Sequence, residues 1–421
     1  MRVQRIKIRN FRGIEEKEIE FQPGMNLIIG ENGKGKTSVL EAIAVGLGGF
    51  IAGIEGVATR HFSQQEIRRI YPMLGDGSID EKKILPIEVE TEAVVDGETF
   101  CWTRRRSSAT ASRTTMQSSG IRKKAEQMSQ QEDVELPVIL YESAARVWSQ
   151  KREKTENVFR KNYYRTVGYT DALVDASNIK LLLNWCAKME QVSWQKEMKI
   201  AEYEAAKKAV GDFMRRMNRS GECTIFYDKQ TENLMYQSEG KTWSVEDLSS
   251  GYQSLVWMVF DIAYRMAVLN PEKKKKIAET SGVVLIDEID MHLHPKWQWN
   301  ILDALREVFP NVQFIAATHA PILFASAKNV WIADVEEEEI KYSWSHYGLD
   351  VNQTLNRYQE TGNVTPPVQE QMDLFYQKVD EGQYDEAEQI LAELEKDTAP
   401  EHPLLVQMRT TLELETMDLG E

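Results

Sequence analysis

The sequence predicts an α/β fold: a parallel sheet flanked by helices, interrupted by a helical insertion lobe and followed by a helical tail. Three observations predict it. Asn26-Leu-Ile-Ile-Gly-Glu-Asn-Gly-Lys-Gly-Lys-Thr37 reads as a buried strand, a glycine loop and a helix start. Gly282-Val-Val-Leu-Ile is a second apolar run, and it ends in two carboxylates, Asp287 and Glu288. Asn311–Ala317 is a third, ending at Thr318-His319. Apolar strands separated by helical stretches are the pattern of a parallel sheet, and ligands of such sheets bind beyond the carboxyl ends of the strands.

The first strand carries the most chemistry. Gly30, four residues, then Gly35-Lys36-Thr37 is the spacing of a phosphate-binding loop. Its glycines let backbone N–H groups turn inward around an anion. The helix starting near Lys36 points its positive dipole end at the same place. Lys36 can set a point charge on phosphate oxygens, and the Thr37 hydroxyl can ligate Mg²⁺. Apolar residues on both sides, Met25–Ile29 and Val39–Val45, supply the strand and helix that the loop needs.

Bulk properties narrow the class. A chain of 421 residues, 42% hydrophobic, can hold two or three domains or one large domain with insertions. Cys101, Cys186 and Cys223 are far apart, which indicates neither a disulfide framework nor a zinc site. No apolar run approaches the roughly 18 residues of a membrane helix, and no signal peptide is visible. A cytoplasmic chain with no membrane partner is expected. The net charge of −15 is uneven: Gln377–Glu421 holds 13 acidic and 3 basic residues. The body is nearer neutral, so the acidity does not exclude nucleic acid.

In chain order, residues 3–9 and 17–21 read as strands around a turn at Arg12-Gly13. The helix after Thr37 is expected to fade at Gly46, Gly48 and Gly49. Residues 50–85 carry no clear pattern. Residues 86–94 and 98–104 read as a hairpin around Asp96-Gly97, and Leu136–Tyr141 as a strand returning to the main sheet. Cys101–Lys124 holds seven cations (Arg104, Arg105, Arg106, Arg113, Arg122, Lys123, Lys124) and no acid. It reads either as a solvated mobile loop or as a contact to the phosphates of duplex DNA.

Residues 151–217 read as mostly helical, with Leu181, Trp185, Met189 and Val192 forming a packing stripe. About forty residues allow a lobe of about 60 Å, too short for the long arms of chromosome-organising ATPases. Strands follow at Cys223–Tyr227 and Asn233–Gln237. Leu248-Ser-Ser-Gly-Tyr-Gln-Ser254 then opens an apolar helix. This is either a second anion-binding turn or an ordinary serine cap. At the carboxylate strand, Asp287 can support a metal shell and Glu288 can polarise a water. His319 reaches the same sheet edge, where a γ-phosphate contact is favoured. The expected domains are 1–150, a helical lobe 151–220, a second sheet lobe 221–350, and an acidic helical tail 366–421.

These four motifs in this order resemble the ABC-type (P-loop NTPase) ATPases, in the branch that holds RecF, SMC and OLD-type proteins. Leu-Pro-Val-Ile-Leu-Tyr141, Gly168-Tyr169, Asp287-Glu-Ile-Asp-Met-His-Leu-His-Pro295 and Thr318-His-Ala-Pro321 further resemble the PtuA-type ATPases of the Septu anti-phage system. The resemblance implies an ABC-ATPase core that takes ATP and Mg²⁺. Gly30, Asn32, Gly33, Gly35, Lys36, Thr37 and Ser38 would hold nucleotide, with Thr37 and Asp287 at the metal. Glu288 would be the catalytic carboxylate and His319 the γ-phosphate sensor. Ser249 and Gly251 would contact nucleotide bound by a second subunit in a head-to-tail dimer, and Asp290 would lie in the loop coupling the sites. A separate HNH nuclease of the PtuB type is the implied partner. Tyr252 departs from the glutamine usual in transporters, and Gln64, Gln65 or the strand end near Glu142 are candidates for the Q-loop. The order also suits a RecF-like repair ATPase or a nucleotide-gated scaffold with little turnover.

After His319, strands are expected at Val330–Val335 and Ile340–Trp344. Neither the acidic set of a Toprim nuclease nor a His-Asn-His motif follows, so the chain is expected to lack its own nuclease. Gln369–Asp380, Tyr384–Lys396 and His402–Glu415 read as short helices for docking a protein.

Overall fold

The computed structural model describes residues 1–75, 77–111, 113–144, 165–174, 178–219, 221–345, 347–349, 366–397 and 403–417. The chain divides into two compact units, Met1–Leu349 and Asp350–Glu421. Parts of the expected helical lobe (151–164, 175–177 and 220) lie outside the described residues, as do 145–150 before it and 398–402 and 418–421 of the tail.

The first unit is built on two large sheets. One is antiparallel, in the order β2-β1-β6-β7-β8, from β1 (Arg2–Phe11), β2 (Ile14–Glu20), β6 (Ile87–Val95), β7 (Glu98–Arg106) and β8 (Thr115–Gln117). A small pair, β4 (Arg69–Ile70) and β5 (Lys82–Lys83), lies between β2 and β6 in sequence. The core sheet runs β16-β15-β3-β14-β13-β9, from β3 (Met25–Ile29), β9 (Val138–Glu142), β13 (Gly282–Ile286), β14 (Val312–Ala317), β15 (Val330–Asp334) and β16 (Lys341–Trp344). Its pairings are parallel from β15 to β9, and β16 adds an antiparallel edge. Strands β3, β9, β13 and β14 are buried along their whole length. Helices and the second sheet cover both their faces, which is why their sequences are continuous apolar runs. The antiparallel sheet instead alternates. β6 is buried at every second residue, and its other face carries ion pairs such as Arg5 with Glu18, Glu90 and Glu92. Its hairpin turns at Asp96 and Gly97, both with positive φ, as a two-residue turn requires.

Helix α1 (Lys36–Ile51) overturns one expectation: it runs straight through Gly46, Gly48 and Gly49. These glycines make room for a sheet. A Cβ on Gly46 would come within 2.3 Å of Thr91 Oγ1, one on Gly48 within 2.2 Å of an Arg104 nitrogen, and one on Gly49 within 2.3 Å of Trp102 Nε1. Trp102 Nε1 donates to Gly46 O at 2.9 Å and Arg104 donates to Val45 O at 2.9 Å. Burial against the sheet outweighs the roughly 1 kcal/mol per glycine of lost helix propensity.

The same contacts correct the reading of Cys101–Lys124 as a loop: much of it is strand and helix, and of its seven cations Arg113, Arg122 and Lys123 are exposed. Cys101–Arg106 belongs to β7, whose alternation places Trp102, Arg104 and Arg106 on the buried face. Arg104 is 2% exposed. Burial without a carboxylate partner lowers its pKa to about 10. Arg106 donates to the carbonyls of Phe62, Ser108 and Ala109. Arg105 pairs with Glu88, and Lys124 with Asp96 and Glu98. Lys124 itself sits on α2 (Gly120–Gln130).

The described part of the helical lobe holds two helices, not one. α3 (Ile179–Gln195) stops where Lys196 N bonds Val192 O and Met198 N bonds Ser193 O, with Glu197 left-handed at φ 51°. α4 (Ala201–Asn218) follows the turn. Each helix is thus about 25 Å long. The Trp185 stripe is core: its ring meets Tyr203 and Tyr264 edge-on at 5.3 and 5.1 Å. Tyr264 belongs to α5 (Ser250–Leu269), a helix buried along most of its length. A three-stranded sheet of β10 (Cys223–Asp228), β11 (Asn233–Ser238) and β12 (Lys241–Ser244) leads into α5. The helix expected over 296–308 breaks into α6 (Pro295–Gln298) and α7 (Ile301–Val308), and α8 (Pro321–Ser326) follows β14.

The second unit holds α9 (Pro366–Asp380), α10 (Tyr384–Asp397) and α11 (Pro403–Met417). Phe375, Ala387, Leu391, Leu394, Leu405 and Met408 form its core. Among the described residues, no helix is long and apolar enough to cross a membrane.

Candidate functional site

The core sheet brings three strand ends together. β3 lies between β15 and β14, so the loop at Gly30 opens at the centre of the carboxyl edge. Gly30, Gly33 and Gly35 have φ of 141°, 85° and 94°, conformations that side chains strain. Gly35 is the left-handed cap of α1, with no side-chain cap bond. The first N–H groups of the helix are therefore open to an anion at the loop. Lys36 is buried, with Nζ donating to Gly30 O at 2.6 Å and Glu31 O at 2.9 Å. Burial pushes its ammonium below the usual lysine range, while Asp287, Glu288, Asp290 and Glu336 pull it back up. Asn32 and Gly33 are exposed on the loop, and Ser38 is half-buried on α1.

Thr37 joins the loop to β13: its Oγ1 donates to both carboxylate oxygens of Asp287, at 3.1 and 3.0 Å. Asp287 is buried, and its N–H bonds Glu142 O at the end of β9 at 2.8 Å. One hydroxyl and one carboxylate side by side fit Mg²⁺, which typically takes few protein oxygens and leaves the rest to phosphates and water. Glu288 is half-buried beyond Asp287 and left-handed at φ 45°. Strain of this kind at a non-glycine residue is concentrated at functional sites. Thr318 Oγ1 donates to Asp290 Oδ1, and the other oxygen of Asp290 lies 3.5 Å from His319 Nδ1. The buried Asp290 thus holds the Thr318-His319 strand end, with the His319 ring about half exposed.

Ser249 and Gly251 belong to a different packing group. Ser249 caps α5 in extended conformation without a side-chain cap bond, and Ser249 and Ser250 are exposed. A Cβ on Gly251 would fall 2.5 Å from His292 O, so only glycine lets α5 start against the turn that follows Asp290. Tyr252 meets Trp297 edge-on at 4.3 Å, and its hydroxyl donates to Asn218 Oδ1 at the end of α4 at 3.1 Å. Asn218 in turn donates to the Tyr236 hydroxyl.

Comparison with known proteins gives the family. The profile of the family described as "AAA domain" matches residues 5–255, and a second AAA domain profile matches 207–325. The first spans more than half of the chain. The chain belongs to the AAA domain family. It is similar to the Septu protein PtuA of Bacillus mycoides (strain KBAB4), at 24% identity over 89% of this chain and 47% of that one. It is also similar to the Retron Vc95 probable ATPase of Vibrio cholerae serotype O1 biovar El Tor, at 41% identity over 24% of this chain and 20% of that one. The chain thus spans about half or less of the length of these relatives. Among solved structures, an SMC head bound to the C-terminal winged-helix domain of ScpA aligns over 85% of this chain, at 16% identity and TM-score 0.49.

Within this AAA domain chain, the structure adds neighbours that the motifs did not name. Glu336 sits beside the loop: its backbone N is 3.5 Å from where a Cβ on Gly30 would be. It opens the acidic run 336–339, but its place depends on β15 pairing with β3, which local sequence does not reveal. Asn218 and Trp297 are likewise linked to the site only in space. Of the Q-loop candidates, the strand end at Glu142 lies beside Asp287, whereas Gln64 and Gln65 are exposed.

Proposed function

We propose that the chain binds ATP with Mg²⁺ and hydrolyses it, as the ATPase subunit of a nuclease-linked anti-phage defence complex. The carrying observation is the convergence of Lys36, Thr37 and Asp287 at one sheet edge, with Thr37 bonded to Asp287. Lys36, folded onto Gly30 O and Glu31 O, would exchange these carbonyls for β- and γ-phosphate oxygens. Asn32, Gly33, Gly35 and Ser38 would line the phosphates. Thr37 and Asp287 would hold Mg²⁺, which when bound neutralises charge developing on the phosphates. Glu288 would orient the attacking water and accept its proton as the water oxygen bonds to the γ-phosphorus. The bond from that phosphorus to the β–γ bridging oxygen breaks, and ADP leaves. His319, steadied by Asp290, would donate to a γ-phosphate oxygen.

Ser249 and Gly251 would meet the γ-phosphate held by a second copy, in a head-to-tail dimer. Their exposure beside α5 supports this, and Asp290 and the turn to His292 would connect the two sites. The defence reading rests on likeness to the Septu protein PtuA and to the retron ATPase. It carries the expectation of a separate HNH nuclease of the PtuB type. The test is turnover of the purified chain, alone and with a candidate HNH nuclease encoded beside it. Mg²⁺-dependent ATP hydrolysis and co-purification are expected. Binding without turnover would favour a nucleotide-gated scaffold.

A further inference from the structure

A cavity of about 460 Å³ opens on the first unit where the end of α4, helix α7, the end of α8 and the turn after β16 meet. That volume suits a small molecule. Two aromatic residues line it, Trp299 between α6 and α7 and Tyr347 after β16. Both reach solvent, at 37% and 58% exposed. Arg216 and Arg219, at the end of α4, line it as well. Hydrogen bonds fix these walls. Gly348 N bonds Ala325 O at 3.2 Å, which holds the Tyr347 turn to α8. Asn300 Nδ2 donates to Met217 O at 3.2 Å, which holds the Trp299 turn to α4.

The charges lining the cavity leave a positive surplus. Its carboxylates are matched by guanidinium groups, Glu307 by Arg216 and Asp303 by Arg306. Arg219 is exposed and pairs with no carboxylate among the described residues; it donates to the Asn300 amide oxygen at 2.8 Å. Lys328 brings a second cation, its ammonium 5.0 Å from the centre of the Tyr347 ring. A guanidinium without a carboxylate is a donor fork suited to phosphate. Aromatic rings offer their faces to a planar base. A simple anion would use the cations and leave the rings bare, and an apolar molecule would use the rings and leave Arg219 without its ion. A base that carries a phosphate uses both.

We propose that this cavity binds a nucleoside phosphate, with its base against Trp299 and Tyr347 and its phosphate on Arg219 and Lys328. It is a second site: Lys36, Thr37, Asp287 and Glu288 do not line it. A free mononucleotide and the phosphorylated end of a single strand carry the same chemistry, and the test separates them. The cavity also shares its walls with the contacts that aim α5. Asn218, between Met217 and Arg219, accepts from the Tyr252 hydroxyl, and Trp297, two residues before Trp299, carries the Tyr252 ring.

The test uses the full chain with Lys36→Ala, so that the phosphate loop is not the binder. Calorimetric titration is run with each of the four ribonucleoside 5′-monophosphates and with a 5′-phosphorylated hexathymidylate. Saturation by a monophosphate assigns the site to free nucleotide, and saturation by the hexathymidylate alone assigns it to a strand end. Adding Arg219→Gln should weaken binding about tenfold or more. Adding Tyr347→Ala instead should weaken it about fivefold or more. An unchanged Tm in both excludes misfolding. No binding of any of these probes up to millimolar concentration would overturn the site, and so would a Kd that neither substitution moves.

Discussion

Helices α1 and α5 both begin at a glycine-bearing turn, but they are completed differently. At α1 the turn is closed by its own chain: Lys36 folds onto Gly30 and Glu31, and Thr37 bonds Asp287. At α5 the exposed Ser249 and Ser250 face outward, while the contacts behind them, Gly251 to His292 and Tyr252 to Trp297 and Asn218, fix the direction of the helix. The difference teaches which start can hold an anion unaided. Inward N–H groups with a buried ammonium make a cradle. On the proposed dimer, an exposed serine pair on a fixed helix would supply half of one.

The largest break in this comparison comes at the α1 side. Lys36→Ala should abolish binding of a fluorescent ATP analogue. Glu288→Gln should bind normally and lose about 10²–10⁴ in turnover, the usual range for a positioned base. Steady-state hydrolysis checks both, and wild-type turnover in Glu288→Gln would take the base role from that residue.

At α5, Ser249→Arg should leave binding intact and stop turnover. Mixing it with Lys36→Ala chains should restore part of the activity through one intact interface. If no mixing ratio restores activity with both variants folded, each copy works alone and α5 carries no half-site.

A smaller effect is expected where α1 is held to its sheet. Gly49→Ala should lower stability by about 1–3 kcal/mol, the usual range for overpacking, because the new methyl meets Trp102 Nε1 at 2.3 Å. On an open helix the same change stabilises by about 1 kcal/mol. A Tm above wild type would show that the sheet yields to the methyl.

The smallest effect is at Tyr252. Tyr252→Phe keeps the ring on Trp297 and loses the bond to Asn218, an expected cost of about 1 kcal/mol. Chemical denaturation measures it, and turnover should fall only a few-fold. An identical denaturation midpoint would mean that water replaces the hydroxyl's partner.

Legibility followed the range of the interactions. The strand of Met25–Ile29, the loop glycines and the apolar runs ending at Asp287 and Thr318 declare themselves locally, since buried parallel strands have to be continuous and apolar. The Asp96-Gly97 turn was equally plain, because its backbone requires positive φ. Gly46, Gly48 and Gly49 misled, since a glycine that breaks an exposed helix and one that admits a sheet look the same in sequence. Arg104 and Arg106 misled for a related reason: a guanidinium satisfied by carbonyls carries the same letter as one facing solvent.

By itself, then, the sequence determined the α/β class, the phosphate loop and the order of the motifs around it. These depend on residue type, on spacing and on backbone conformations open to few side chains. Only the tertiary structure decided that β15 brings Glu336 to the loop, that Asp290 binds both Thr318 and His319, and that α5 is set by Gly251 and Tyr252. The same holds for Arg104 and Arg106 of β7, which turn inward. Each joins groups that the chain separates and the sheet order brings together, and strand order is set by the summed burial of the whole core rather than by any local stretch.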